Sequence, residues 1–310
     1  MKPTAAISFP RSRGGRRLLR AFSLIEVLVV TGLLSVIIIG LVMMFAQTQR
    51  AYKLGTTQVD VLESGRMATD LLTRDLQQCA ASGQPDWINF LCNFYVGTPN
   101  FDPLTQELPG STARRTNLMQ ETFFLTRENQ TWTAVGYFVR TNDQSYLAYP
   151  AGSGGSLYRF ETNYSDTVFR QNPQWPWRDF TAALTNANRA SRVLEGVVHF
   201  KLRTYTSGGD RIRTNYAPVA LYPNVHLQPP AGAPVAFYPF GETPYLYFFS
   251  NAIPASVEIE LGVLEAREIE RARAISSPTA RATYLSQQAG KVHLFRWRVP
   301  VRNADSSVYQ

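Results

Sequence analysis

The chain has 310 residues, a formal charge of +8 and a pI near 9.6, which is length for one sizeable domain plus a membrane element. Six of its 31 basic residues (Lys2, Arg11, Arg13, Arg16, Arg17 and Arg20) fall within the first 21 positions, where there is no acid, leaving 25 basic against 23 acidic residues in a body near +2. Nucleic-acid binding needs Lys and Arg clustered on the folded domain, so this charge excess does not point to it and no nucleic-acid partner is expected.

Phe22 to Ala46 (FSLIEVLVVTGLLSVIIIGLVMMFA) is a run of 25 residues with one charge, Glu26. As a helix it measures about 37 Å, enough to cross a hydrocarbon core of about 30 Å. The basic leader precedes it and only Arg50 and Lys53 follow closely. The positive-inside rule then puts the N-terminus in the cytoplasm and the rest outside. A secretory signal fits poorly, because its apolar region runs about 7–15 residues and ends at a small-x-small site. A carboxylate inside a span costs about 2.5–3.5 kcal/mol on insertion scales, so Glu26 reads as a functional residue. The plainer alternative is that it snorkels to the cytoplasmic edge.

Gln47 to Cys79 keeps helical periodicity. Val61, Gly65, Ala68, Leu72, Leu76 and Cys79 share one face, while Asp60, Glu63, Arg66, Asp70 and Arg74 lie largely off it. Gly55 and Gly65 weaken the helix by about 1 kcal/mol each relative to Ala. Ser82-Gly83-Gln84-Pro85 ends it with breaker chemistry. Four segments are expected: a basic leader at 1–21, a transmembrane helix at 22–46, an amphipathic extension at 47–80 and an extracytoplasmic β-rich domain at 81–310. In an exported domain Cys79 and Cys92 read as one disulfide, the alternative being two buried thiols.

Strands are expected at Trp132–Arg140, Ser156–Thr162, Arg192–Thr206, Ala255–Leu264 and Val292–Val301. The alternation is clearest where Val257, Ile259, Leu261 and Val263 interleave with Glu258 and Glu260, a pattern of period two with one buried face. Phe295, Trp297 and Val299 likewise oppose Arg296 and Arg298. Ala151–Gly155 and Ser207–Asp210 read as turns, Tyr216–Pro244 as a long irregular connection rich in Pro and aromatics, and Leu264–Ile275 as a short amphipathic helix. The fold class is α+β: a long N-terminal helix packed on an antiparallel β-rich domain.

Ala21-Phe22-Ser23-Leu24-Ile25-Glu26-Val27 resembles the cleavage and methylation motif of type IV prepilins and type II secretion pseudopilins. The resemblance implies a pilin-like fold and a cut by prepilin peptidase between Ala21 and Phe22. It also implies N-methylation of Phe22 and an assembly role for Glu26, the fifth mature residue. The family usually places Gly before the cut, where this chain has Ala21. Within the body, Val193–Val197 (VLEGV), Ile253–Leu261 (IPASVEIEL) and Phe295–Asn303 (FRWRVPVRN) resemble J-type minor pseudopilins and PilW-like minor pilins. The helical stretch Gly65–Leu76 fits the same group. Thr283–Asn303 resembles the Verru_Chthon cassette C proteins. The resemblance implies a structural subunit of a type IV pilus or a type II secretion pseudopilus, single-pass in the inner membrane with its C-terminal domain periplasmic. Its implied partners are the peptidase, other pilins and the inner-membrane assembly platform.

Residues for catalysis are not apparent. His199, His226 and His293 have no metal-ligand spacing, and neither a nucleophile elbow nor a P-loop occurs. Asn100-Phe101-Asp102 and Asp210 lack the alternating oxygen ligands of a calcium loop. No cofactor, metal or enzymatic activity is expected. Gln174-Trp175-Pro176-Trp177 reads as a loop whose aromatics are adhesive or pack the loop's underside. The rival to a filament subunit is a membrane-anchored adhesin or receptor that uses a prepilin helix for export.

Overall fold

The computed structural model describes residues 23–93, 104–140, 154–212, 224–226 and 245–309. Two compact units are present, Met1–Gly55 and Thr56–Gln310. Helix α1 (Leu24–Gln77) contributes to both. The second unit continues with β1 (Gln84–Asn93), β2 (Thr105–Glu107), β3 (Arg114–Thr116), β4 (Glu121–Glu128), β5 (Thr131–Arg140) and β6 (Gly155–Ser165). Then follow α2 (Asp166–Gln171), α3 (Trp175–Thr185), β7 (Ala190–Tyr205), β8 (Val225–His226), β9 (Tyr245–Ser250), β10 (Ser256–Leu264), α4 (Ala266–Ala274), α5 (Pro278–Ser286) and β11 (Val292–Pro300).

Nine of these strands form one sheet in the order β11-β10-β7-β6-β5-β4-β1-β9-β8, with β2 and β3 a separate pair. Every pairing is antiparallel. Strand alternation sends successive side chains to opposite faces, and both faces are covered. On one, the α1 stripe Val61, Ala68, Leu72 and Leu76 packs into a core with Phe90, Phe124, Tyr137, Ile259 and Leu261. On the other, Phe169 of α2 and Phe180 of α3 sit over Phe123, Trp132, Phe138 and Phe160. Ile269 and Ala272 of α4 and Leu285 of α5 cover Val198 and Leu264. The body is therefore α+β in three layers, with an antiparallel sheet between helices.

The helical stripe read from the sequence is the buried face of α1, down to Leu72 and Leu76 at 0% exposure. Gly65 lies on it because the ring of Phe295 occupies the space a side chain would need. Polar bonds pin the same face. Asp75, 4% exposed, accepts from Tyr137 Oη at 2.6 Å and from Arg159 Nε at 2.6 Å, and Arg159 also pairs with Glu161. Trp297 Nε1 donates to Thr73 Oγ1 at 2.9 Å. At Gly196 (φ +79°) a bulge breaks the register of β7 against β6, and a Cβ there would meet the Leu264 carbonyl oxygen at 2.4 Å, so the position requires glycine.

The five expected strands form within a few residues of their predicted ends, and Leu264–Ile275 contains α4. The helix stops earlier than Ser82, at Gln77, and Gln84-Pro85 already belong to β1. Gln174–Trp177 is not a loop: Trp175-Pro176 opens α3, with proline at the start of the helix, where its missing N–H has no intrahelical partner to lose. Ser207–Asp210 is a turn, closed by Thr206 N–H donating to the Asp210 carbonyl at 2.9 Å. Asn100–Asp102 lies outside the described residues, as does Tyr216–Pro244 apart from 224–226.

Candidate functional site

The first unit is built by the apolar run. The Ser23 carbonyl accepts from the backbone N–H of Glu26 at 3.0 Å and of Val27 at 3.2 Å, which starts the helix. Every side chain from Leu24 to Lys53 is exposed, and a helix apolar all round needs an apolar surrounding. It is long and apolar enough to cross a membrane. Its hydroxyls are satisfied within the helix. Thr31 Oγ1 donates to the Val27 carbonyl at 2.9 Å, Ser35 Oγ to that of Thr31 at 2.8 Å and Thr48 Oγ1 to that of Met44 at 2.9 Å. Glu26, in the first turn, is the one charge between Leu24 and Ala46, with no side-chain partner among the described residues. A carboxylate there favours the N-terminal end of the helix dipole, yet in hydrocarbon it still needs a counter-charge. Ala21 and Phe22 lie outside the described residues.

The expected disulfide is not formed: Cys79 and Cys92 are both thiols, and both are buried. Cys79 bridges to Thr126 and Cys92 stands opposite Thr122, both on β4. Four residues of strand put those two partners about 13 Å apart, whereas bonded cysteines have Cα atoms within about 7 Å. Burial pushes the Cys79 thiol well above its ordinary range, so it is a poor nucleophile and behaves as a core residue.

The body places charges on the face of β7, β10 and β11 turned away from α1. Arg203 Nη1 lies 2.5 Å from both Glu258 Oε1 and Glu260 Oε1, and Arg296 Nη2 lies 2.9 Å from Glu258 Oε1. His199, buried between these strands, accepts the Leu118 N–H on Nδ1 at 3.0 Å and lies 3.5 Å from Glu260 through Nε2. Burial lowers the His199 pKa against the pull of Glu260. For Glu260 burial works the other way, but bonds from His199 and Arg203 outweigh it and hold the carboxyl at about 2. This is a cross-strand ion ladder, and sequence reading found its parts as alternating polar positions without pairing them. Among the described residues no group of three His, Cys, Asp or Glu is placed to hold a metal. A cavity of about 610 Å³ lies beside α2 and α3, walled by Trp87, Phe123, Phe169 and Trp177, with Arg178 its one charged lining residue. Its chemistry is apolar contact and stacking. No family model and no curated protein matches this chain.

Proposed function

We propose that this chain is a minor pilin or pseudopilin, a structural subunit whose work is assembly through its N-terminal helix. Prepilin peptidase cuts between Ala21 and Phe22 on the cytoplasmic face of the inner membrane and methylates Phe22. The apolar helix then leaves the bilayer for the core of a type IV pilus or type II secretion pseudopilus, and the body lies on the periplasmic side. The observation that carries this reading is Glu26, a charged residue near the start of an exposed apolar helix whose hydroxyls are already satisfied. In a bundle of such helices the new amine of a neighbouring subunit's first residue is the counter-charge within reach. A buried pair of this kind sets register more than it adds stability, because removing one partner strands the other.

The test is in cells. Mass spectrometry of the mature protein should find an N-methylated Phe22 as its first residue, and loss of the peptidase should leave the leader attached. Glu26→Ala should insert in the membrane at the normal level, since removing a charge lowers the insertion cost by about 2.5–3.5 kcal/mol. It should nevertheless fail to co-purify with the other pilins. An intact Met1 would refute the processing, and normal co-purification of Glu26→Ala would refute the assembly role.

A further inference from the structure

Covered cations among the described residues mostly have partners, although Arg115 Nε is also buried without an acceptor. Arg159 has Asp75 and Glu161, Arg203 has Glu258 and Glu260, and Arg115 donates to Gln106 Oε1 at 2.7 Å. Arg140 departs from this rule. It ends β5, is 4% exposed, and its Nε and Nη1 atoms are sealed from solvent with no acceptor among the described residues. Its one described contact is the Tyr158 ring, with the guanidinium carbon 5.9 Å from the ring centroid. Ser156, itself 6% exposed, stands directly opposite it on β6 and so shares its face. Glu121 turns to that face too, by alternation from the Thr122–Tyr137 pair, and its carboxyl oxygen Oε1 accepts from Asn93 Nδ2 at 2.8 Å.

A guanidinium cannot shed its proton to escape burial. An uncompensated buried charge costs several kcal/mol, and a ring edge or face returns only part of it. Buried donors without acceptors call for a missing water or ion. Water supplies no negative charge, whereas an oxyanion supplies both the charge and acceptors in the plane of the guanidinium. We infer that Arg140 anchors a binding site for a small oxyanion, either a carboxylate or a tetrahedral phosphate or sulfate, with the Ser156 hydroxyl as a second donor and Tyr158 as its wall.

The test uses the full chain in detergent at constant ionic strength. Chloride is replaced stepwise by sodium phosphate, sulfate or acetate, and unfolding is followed by tryptophan fluorescence. The expected result is a saturating rise in Tm with at least one of the three. Preference for phosphate and sulfate assigns a tetrahedral ligand, and preference for acetate a carboxylate. Arg140→Met, which keeps the apolar bulk, should lose the saturating component. Arg140→Lys, a point charge without the planar fork, should bind at least about tenfold more weakly. Absence of saturation with all three anions in the wild type would overturn the inference, even if the variants failed to fold. So would an unchanged saturating response in Arg140→Met.

Discussion

Gly65→Ala tests how α1 is seated on the sheet, because two ordinary rules give opposite signs there. In a helix interior, replacing Gly with Ala stabilises by about 1 kcal/mol. At this site the new Cβ would stand 2.3 Å from Phe295 Cζ, 2.4 Å from Cε2 and 3.1 Å from Cε1, where carbon atoms pack comfortably at about 3.5–4.0 Å. The ring has little room to retreat. It belongs to β11, whose register against β10 is unbroken over nine residue pairs, and the nearby Trp297 is tied back to Thr73. Forcing extra volume into a packed core costs about 1–3 kcal/mol, and a retreat of more than an ångström belongs at the upper end. The net loss is then about 2 kcal/mol, or a Tm lower by about 4–8 °C for a unit of this size. Gly55→Ala is the control: nothing lies within 4 Å of its Cβ, so it should be neutral or stabilising by up to about 1 kcal/mol. Thermal and urea unfolding of the purified chain would measure both. Phe295→Leu, introduced alone and with Gly65→Ala, should recover most of the loss as a coupling between the two sites. The reasoning fails if Gly65→Ala matches or exceeds wild-type stability and shows no coupling to Phe295→Leu.

Two further outcomes follow from buried groups. The unfolded protein should titrate with a thiol reagent for two thiols without reductant, native Cys79 should resist alkylation until the protein unfolds, and dithiothreitol should leave the Tm unchanged; a single reducible bridge would contradict the geometry at β4. Burial pushes the Glu121 carboxyl up to about 7 from an ordinary 4.5, against the bond from Asn93. Between those values the folded state holds the proton and the unfolded state does not. Its contribution is therefore fully present below about 4.5 and lost as pH rises through about 7, an upper limit of about 3 kcal/mol. Glu121→Gln should flatten the fall in stability between pH 5 and pH 8.5 and make the protein more stable at the alkaline end. An unchanged pH profile would show that the carboxyl is not held neutral.

Periodicity explains what could be read in advance. A long amphipathic stripe and strands with one charged face announce themselves, so α1, β7, β10 and β11 were predictable from residue order. Some of the elements that escaped have the pattern erased by burial on both faces. In β4 six consecutive residues, Glu121 to Thr126, are buried, so no polar alternation marks that strand. In α3 the run Trp175-Pro176-Trp177 carries turn-like chemistry, although a proline at the first turn is compatible with a helix. The Asp75–Tyr137–Arg159 clasp joins residues 62 and 84 positions apart, and no local spacing announces such a meeting. The ladder of Arg203, Glu258 and Glu260 escaped for the same reason, since strand neighbours in space were strangers in sequence.

Cys79 shows how two sound readings of one residue can conflict and which physics prevails. As part of a lone cysteine pair in an exported body it suggested a covalent bridge. As the last member of the stripe that includes Leu72 and Leu76 it suggested a core position, and it is 0% exposed. The stripe is a statement about many contacts acting together: docking α1 fixes where residue 79 arrives, beside Thr126 and with its carbonyl accepting from Asn303 Nδ2 at 3.1 Å. A disulfide would need the chain to give up that docking to close a gap of several ångströms. Burial of a helix face worth many kcal/mol outweighs a single bond whose contribution is about 2–4 kcal/mol. Periodicity over six residues was therefore the stronger predictor, and the pairing of two cysteines by count alone was the weaker one.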